Sequence, residues 1–116
     1  MAEELPKATV LIADDNPDNV ELVREVLEGA GYTVVTAYDG DQALLKVAES
    51  NPDLIILDVM MPGKDGFEVC RRLKKWEQTR NIPVLMLTSL HEVADKVRGL
   101  ESGADEFLTK PVHMVE

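Results

Sequence analysis

Acidic, hydroxyl and basic side chains follow four of the short apolar runs in this chain, at points where strands would end. Asp14-Asp15 come directly after the first run and Asp58 after the third. Thr88-Ser89 follow the fourth run, and Thr109-Lys110-Pro111 close the fifth. If these runs are parallel strands, their carboxyl ends meet at one edge of a sheet, where ligands bind in open α/β folds. Three carboxylates, a hydroxyl group and an ammonium group would then share one small site.

Such a cluster favours a hard divalent cation. Neighbouring carboxylates disfavour each other's ionised form unless positive charge lies among them, and Lys110 supplies only one such charge. Mg²⁺ prefers oxygen ligands from one or two carboxylates together with water, and its open positions can hold a phosphoryl oxygen. A carboxylate can also attack phosphorus to form an acyl phosphate, while an ammonium and a hydroxyl group neutralise the phosphoryl oxygens. Residues of these types can therefore support Mg²⁺-dependent phosphoryl transfer to a carboxylate.

The elements that must position these residues are of two alternating kinds. Short apolar runs predict strands buried on both faces, and amphipathic stretches between them predict helices. This alternation predicts an α/β fold with a parallel sheet, helices on both faces and right-handed crossovers. The predicted strands are Thr9–Ala13, Thr33–Ala37, Leu54–Leu57, Val84–Leu87 and Glu106–Thr109.

The helix boundaries carry specific signals. Asn16 can cap the first helix, Pro17 suits its first position, and Gly31 is a natural left-handed stop. The second helix is predicted from Asp39–Gly40 to about Ser50, and the third begins after Asp65–Gly66. The fourth is predicted from about His91 to Ser102 and ended by Gly103, and Arg71, Arg72, Lys74 and Lys75 are expected to form a solvated face of the third. The predicted inward positions are Val20, Val23, Leu27 and Ala30, then Ala43, Leu44, Val47 and Ala48, then Phe67, Cys70 and Leu73, and finally Val93, Val97 and Leu100.

Length and composition predict one domain over residues 1–116. Of the 116 residues, 45% are hydrophobic, and the formal net charge is −10. An acidic domain is disfavoured as a nucleic-acid or anionic-membrane binder, because such binding needs Lys and Arg to neutralise phosphates. A single cysteine, Cys70, excludes an intramolecular disulfide and fits a reducing compartment. With no signal-peptide pattern and no apolar run of ~20 residues, we expect a cytoplasmic domain.

Four motifs in order resemble the signature of response-regulator receiver domains. They are Asp14-Asp15, the segment from Leu57 to Gly66, Thr88-Ser89 and Lys110-Pro111, and the likeness extends over 8–112. The resemblance implies a flavodoxin-like, doubly wound sheet of five parallel strands in the order 2-1-3-4-5. It also implies that a sensor histidine kinase or a histidine phosphotransfer protein supplies the phosphoryl group.

The resemblance further implies the roles of the metal-site residues. Asp58 would be the phosphoacceptor. Asp15 and Asp58 would ligate Mg²⁺ directly, and the backbone carbonyl of Met60 would be a third protein ligand. Asp14 would act mostly through a bound water molecule. The domain would thus catalyse its own phosphorylation and dephosphorylation without turning over a separate substrate, so it would not be an enzyme in the ordinary sense.

A switch follows from the same resemblance. Lys110 would contact the phosphoryl group from a turn fixed by Pro111, with a cis peptide between the two. Thr88 would move toward the phosphoryl group, and Phe107, which is as well explained as a plain core aromatic, would follow it inward. Such a two-state element, biased by local charge, is the form that a phosphorylation switch takes.

Other interpretations fit the sequence less well. A hydrolase of the haloacid-dehalogenase type would need a second Asp two positions after the first, where Asn16 stands, and a flavodoxin would need a Ser/Thr/Gly-rich loop for its cofactor. A receiver-like binding module would lack Asp58, Asp15 or Lys110, all of which are present. The expected final helix is missing after the fifth strand, either because the chain is cut there or because a partner chain provides it. The output domain or partner is not identified, and a homodimer is left open.

Overall fold

Five short strands and three helices alternate along the part of the chain that is described. The fold comes from a computed structural model, which describes residues 8–88 and 101–109. In chain order the elements are β1 Thr9–Ala13, α1 Pro17–Gly29, β2 Thr33–Ala37, α2 Gly40–Ser50, β3 Leu54–Asp58, α3 Gly66–Lys75, β4 Val84–Thr88 and β5 Glu106–Thr109. The predicted fourth helix, with Val93, Val97 and Leu100, lies almost entirely outside the described residues, and so do 110–116, where the absence of a final helix was predicted.

The strands form one parallel sheet in the order β2-β1-β3-β4-β5. Each neighbouring pair is parallel, and Ala13 lies opposite both Ala37 and Leu57. This order confirms the predicted flavodoxin-like, doubly wound sheet. Because β1 and β3 are neighbours in this register, the residues that follow Ala13 and Leu57 emerge side by side at the carboxyl edge.

The sheet has an apolar layer on each face. Alternate residues of a strand point to opposite faces, and the buried side chains of β1 and β3 accordingly divide between two clusters. One layer lies under α1, and the other lies under α2 and α3. The α1 layer contains Val10, Ile12, Val20, Val23, Ile56 and Leu87; the other contains, among others, Leu11, Ile55, Leu57, Val47, Phe67, Cys70 and Leu73.

Capping residues start each described helix close to a strand end. The Asn16 side chain accepts hydrogen bonds from the amides of Asp18 and Asn19, and Pro17 takes the first helical position. Asp39 accepts from the amide of Gln42 at 2.7 Å, and Asp65 accepts from that of Glu68 at 2.9 Å. Such caps satisfy amides that have no partner within the helix, each contributing ~1 kcal/mol. The predicted starts of α1, α2 and α3 are therefore confirmed to within one residue, whereas the predicted start of the fourth helix lies outside the described residues.

Several predicted details are wrong for identifiable reasons. Ala30 is exposed because it is the C-cap of α1, one residue beyond the helix. Ala48 is exposed in the last turn of α2. Asp58 and Thr88 belong to their strands, so β3 and β4 are each one residue longer than predicted. Lys74 is not on a solvated face, since its side chain is only 18% exposed and pairs with Asp105. Gly31 does have a positive φ, as its predicted role as a left-handed stop requires, and Gly103, which was predicted to end the fourth helix, also has a positive φ. Within 8–88 and 101–109, no helix is both long and apolar enough to cross a membrane.

Candidate functional site

Three carboxylates converge at the carboxyl edge of β1 and β3. One oxygen atom each from Asp14, Asp15 and Asp58 lies within 4.8 Å of the other two. Asp14 is 3% and Asp58 4% exposed, while Asp15 faces solvent. The Asp14 amide donates to the Ala37 carbonyl at 3.1 Å, which fixes the backbone that presents this carboxylate. The predicted convergence of these three side chains is therefore what the sheet produces.

Asp14 is oriented toward the start of α1. Its Oδ1 accepts a hydrogen bond from the Asn16 amide at 3.0 Å, and its Oδ2 accepts one from Asn19 Nδ2 at 3.5 Å. Asn19 was not identified from the sequence as a site residue. The only signal for it was its position in the first turn of a helix that begins just after Asp14-Asp15.

The donor set fits a hard divalent cation. Burying a carboxylate is costly unless positive charge or hydrogen bonds compensate, and two of these three carboxylates are buried within reach of each other. Carboxylate oxygens are the ligands that Mg²⁺ selects, and the exposed Asp15 leaves an approach from solvent. The residues present thus fit Mg²⁺ at this edge of the sheet.

The segment after β3 folds tightly against the strand. The Val59 amide donates to the Leu87 carbonyl at 3.0 Å, and the Val59 carbonyl accepts from the Gly66 amide at 2.9 Å. A Cβ on Gly66 would lie 2.4 Å from the carbonyl oxygen of Asp58, so α3 begins in direct contact with the backbone of Asp58. Between these points, the side chain of Met60 is 60% exposed. The segment that carries Met60 is held at both ends.

The other predicted site residues are described in part or not at all. Asp58 lies opposite Leu87 in the register of β3 and β4, so Thr88 ends the neighbouring strand, paired with Thr109 of β5. The backbone of Phe107 lies in β5. Lys110 and Pro111, together with the side chains of Thr88 and Phe107, lie outside the described part of the structure. Their predicted roles stay predictions.

A second charged group lies before β4 and β5, and the sequence did not indicate it. Lys74 Nζ donates to the Ile82 carbonyl at 2.8 Å and to Asp105 Oδ2 at 3.0 Å, and the same oxygen accepts from the Val84 amide at 2.8 Å. Partial burial raises the pKa of the Asp105 carboxyl, but the Val84 amide and the Lys74 ammonium outweigh it and hold that pKa below its ordinary value. This group ties the end of α3 to the first residues of two strands.

The fold and the site define a flavodoxin-like α/β protein with a candidate cation site made of aspartates at the carboxyl edge of its sheet. Comparison with known proteins then gives the family. Residues 10–116 match the family model described as the response regulator receiver domain. The chain belongs to this family, and it is the receiver domain of a two-component response regulator.

Named relatives agree with this assignment. The chain is 51% identical over 105 residues to response regulator PleD of Caulobacter vibrioides, which covers 90% of this chain and 23% of that protein. It is 50% identical over 107 residues to the DNA-binding dual master transcriptional regulator RpaA of a Synechocystis species, covering 92% and 44%. Chemotaxis protein CheY4 of Vibrio cholerae has a similar structure, with a TM-score of 0.88, 38% identity and coverage of 92% and 89%. The chain thus spans less than half the length of these two curated relatives.

Proposed function

We propose that this domain is a phosphoryl-accepting switch, in which Asp58 takes a phosphoryl group from a phosphohistidine donor in a Mg²⁺-dependent reaction. The observation that carries the proposal is the cluster of Asp14, Asp15 and Asp58, whose carboxylate oxygens lie within 4.8 Å of one another. Membership of the receiver family supports it.

Four residues would hold Mg²⁺. Asp15 and Asp58 would each supply a carboxylate oxygen, Met60 its backbone carbonyl, and Asp14 a carboxylate acting through a water molecule. When bound, Mg²⁺ would supply positive charge that neutralises the carboxylates and the phosphoryl oxygens. The hydrogen bonds that Asp14 accepts from Asn16 and Asn19 orient its carboxylate within the cluster.

The reaction is a displacement at phosphorus. A carboxylate oxygen of Asp58 forms a bond to phosphorus as the bond from phosphorus to the histidine nitrogen breaks, and the imidazole leaves with the electron pair and takes up a proton. Lys110 would stabilise the negative charge of the phosphoryl oxygens, and Thr88 would donate a hydrogen bond to one of them. Water attacking the same phosphorus would later release phosphate and regenerate the Asp58 carboxylate. The domain would therefore act as a signalling module that turns over no separate substrate.

The partner would be a sensor histidine kinase or a histidine phosphotransfer protein. With a net charge of −10, the domain itself would bind neither nucleic acid nor an anionic membrane. RpaA is named as DNA-binding, and an output of this or another kind would lie outside the receiver domain or on a partner protein. A homodimer is compatible with this role. We place the domain in the cytoplasm, where its one free cysteine stays reduced.

The test is phosphorylation by a small-molecule donor. The protein is incubated with Mg²⁺ and acetyl phosphate, and its intact mass is recorded. The wild type should gain one phosphoryl group, whereas Asp58→Asn and an EDTA-treated sample should gain none.

The matched control is Asp18→Asn, the same carboxylate-to-amide change on an exposed residue of α1. This variant should be phosphorylated like the wild type. Folded wild-type protein that gains no mass, or Asp58→Asn that gains as much as the wild type, would refute the proposal.

A further inference from the structure

The segment between β3 and α3 is pressed against the first turn of α2. We call residues 59–65 the acceptor loop, because they directly follow Asp58. A Cβ on Gly40 would lie 2.1 Å from the carbonyl oxygen of Lys64 and 2.8 Å from its Cβ. Since no real Cβ approaches backbone this closely, the loop occupies space that only a glycine at position 40 leaves open.

An ion pair joins the same two elements beside this contact. Lys64 Nζ lies 2.6 Å from Asp41 Oδ1, with the lysine side chain 31% and the aspartate 69% exposed. The pair follows a turn at Gly63, whose φ is +75°. Two consecutive residues of α2 therefore contact Lys64. Gly40 lies against the backbone of Lys64, and Asp41 pairs with the Lys64 ammonium.

The first turn of α2 is itself fixed to the end of β2. Asp39 accepts a hydrogen bond from the Gln42 amide at 2.7 Å, and Gln42 Oε1 accepts one from the Tyr38 amide at 3.0 Å. This arrangement resembles a capping box, but the Gln42 side chain reaches the amide of Tyr38, one residue before the N-cap. It satisfies two amides and fixes the entry to the helix. The acceptor loop thus rests on a surface whose position relative to the sheet is set independently of Asp58.

We propose that Gly40, Asp41 and Lys64 are positioning residues for the cation site. By holding the acceptor loop against α2, they keep the Met60 backbone where it can serve as the third protein ligand. They would act through the loop, as positioning residues and not as ligands of the cation. This inference rests on the proposed function, because the metal role of Met60 is part of it.

The direction in which one substitution changes the Mg²⁺ affinity distinguishes a positioning role from a simple effect of charge. Removing the positive charge of Lys64 would by itself favour a nearby cation, since like charges repel. If Lys64 instead positions the loop, its loss weakens Mg²⁺ binding. Lys64→Met is therefore the decisive variant, whereas Asp41→Asn is expected to weaken binding on either account.

The experiment measures the Mg²⁺ dissociation constant by isothermal titration calorimetry, without any phosphoryl donor. Lys64→Met should bind Mg²⁺ about two- to fivefold more weakly than the wild type, the range that exposed ion pairs span. Gly40→Ala should weaken binding by at least about fivefold, because the loop must move away from the added methyl group. The charge-swapped double variant Asp41→Lys with Lys64→Asp restores an ion pair, so it should recover most of the Mg²⁺ affinity that Lys64→Met loses.

Two matched controls accompany these variants. Arg24→Met breaks two exposed ion pairs within α1, and Gly29→Ala adds a methyl group where nothing lies within 4 Å; both should bind Mg²⁺ like the wild type. A dissociation constant for Lys64→Met that is unchanged or tighter would overturn the inference, whether or not Gly40→Ala folds. Wild-type protein that binds no Mg²⁺ would instead overturn the proposed function, so the two failures are distinguishable.

Discussion

Replacement of Gly66 by alanine tests how tightly the start of α3 is built onto the phosphoacceptor. The added Cβ would lie 2.4 Å from the carbonyl oxygen of Asp58 and 3.0 Å from the Cα of Val59. Both atoms are backbone at the end of β3, so neither can rotate out of the way. Forcing a methyl group into a packed site costs ~1–3 kcal/mol, and better helix propensity returns less than ~1 kcal/mol at a first-turn position. We expect a net loss of about 1–2 kcal/mol of stability.

Gly29→Ala is the matched control for this prediction. Gly29 is the last residue of α1, and a Cβ there would meet nothing within 4 Å. The same substitution should therefore be neutral or stabilising by up to ~1 kcal/mol. The two variants add the same methyl group at opposite ends of a helix, and only at Gly66 would it meet backbone atoms, so a lower stability of Gly66→Ala reports that contact.

The assay is urea unfolding followed by circular dichroism, with EDTA present so that cation binding does not contribute to stability. Phosphorylation by acetyl phosphate at saturating Mg²⁺ is then measured on both variants, and Gly66→Ala should be slower because the Asp58 backbone has shifted. If Gly66→Ala is as stable as Gly29→Ala and is phosphorylated as fast, the start of α3 does not constrain the backbone of Asp58, and the predicted effect of this contact is refuted.

Two further predictions concern groups away from the cluster. Because the folded-state pKa of Asp105 is lowered from the ordinary 3.8, this carboxylate stabilises the fold above that pH, and the stabilisation is lost as the pH falls through the lower folded-state value. Asp105→Asn should therefore cost up to ~1 kcal/mol near pH 7, and this cost should shrink as the pH is lowered below 3.8; a difference in urea unfolding that stays constant over that range would contradict this. Burial raises the pKa of the Cys70 thiol, so an aromatic disulfide reagent at pH 8 should label Cys70 only after unfolding, and rapid labelling of the native protein would show that Cys70 is accessible.

The sheet was predictable because its signals are local. Runs such as Thr9–Ala13 are almost wholly apolar. Asn16-Pro17 begins a helix because the Asn16 side chain accepts hydrogen bonds from helix amides and Pro17 has no N–H that needs a partner. Strand ends were less predictable. Asp58 and Thr88 belong to β3 and β4 because pairing uses the backbone and does not depend on a side chain being apolar.

The three carboxylates of the site were predictable for a related reason. Their chemistry shows in the residue type, and parallel strands bring their ends together whatever the intervening loops do. Asn19 was not predictable in this way, since an Asn in a first helical turn is ordinarily exposed and satisfied by water. Only the structure shows its amide within reach of Asp14.

Lys74 illustrates what a local pattern cannot predict. It lies among basic residues on α3, but its position borders the apolar stripe that includes Cys70 and Leu73, so its stem can pack inward while its ammonium reaches a carboxylate 31 residues away. No periodicity within α3 encodes Asp105. The partner becomes available only once β4 and β5 are paired, because both elements must be in place to bring the turn before β5 beside α3.

The glycines that flank the acceptor loop were likewise not predictable as residues that shape the site. Gly40 and Gly66 carry no chemistry of their own, so a search for reactive residue types passes over them, and each looks like an ordinary helix start. Yet each leaves space for backbone: Gly40 for the loop at Lys64, and Gly66 for the end of β3 at Asp58 and the start of the loop at Val59. A close backbone contact cannot be relieved by a change of rotamer, whereas an exposed pair such as Lys64–Asp41 can be broken at little cost. The precision of this site should therefore depend more on its glycines than on its surface charges, which is why we expect Gly40→Ala to weaken Mg²⁺ binding more than Lys64→Met does.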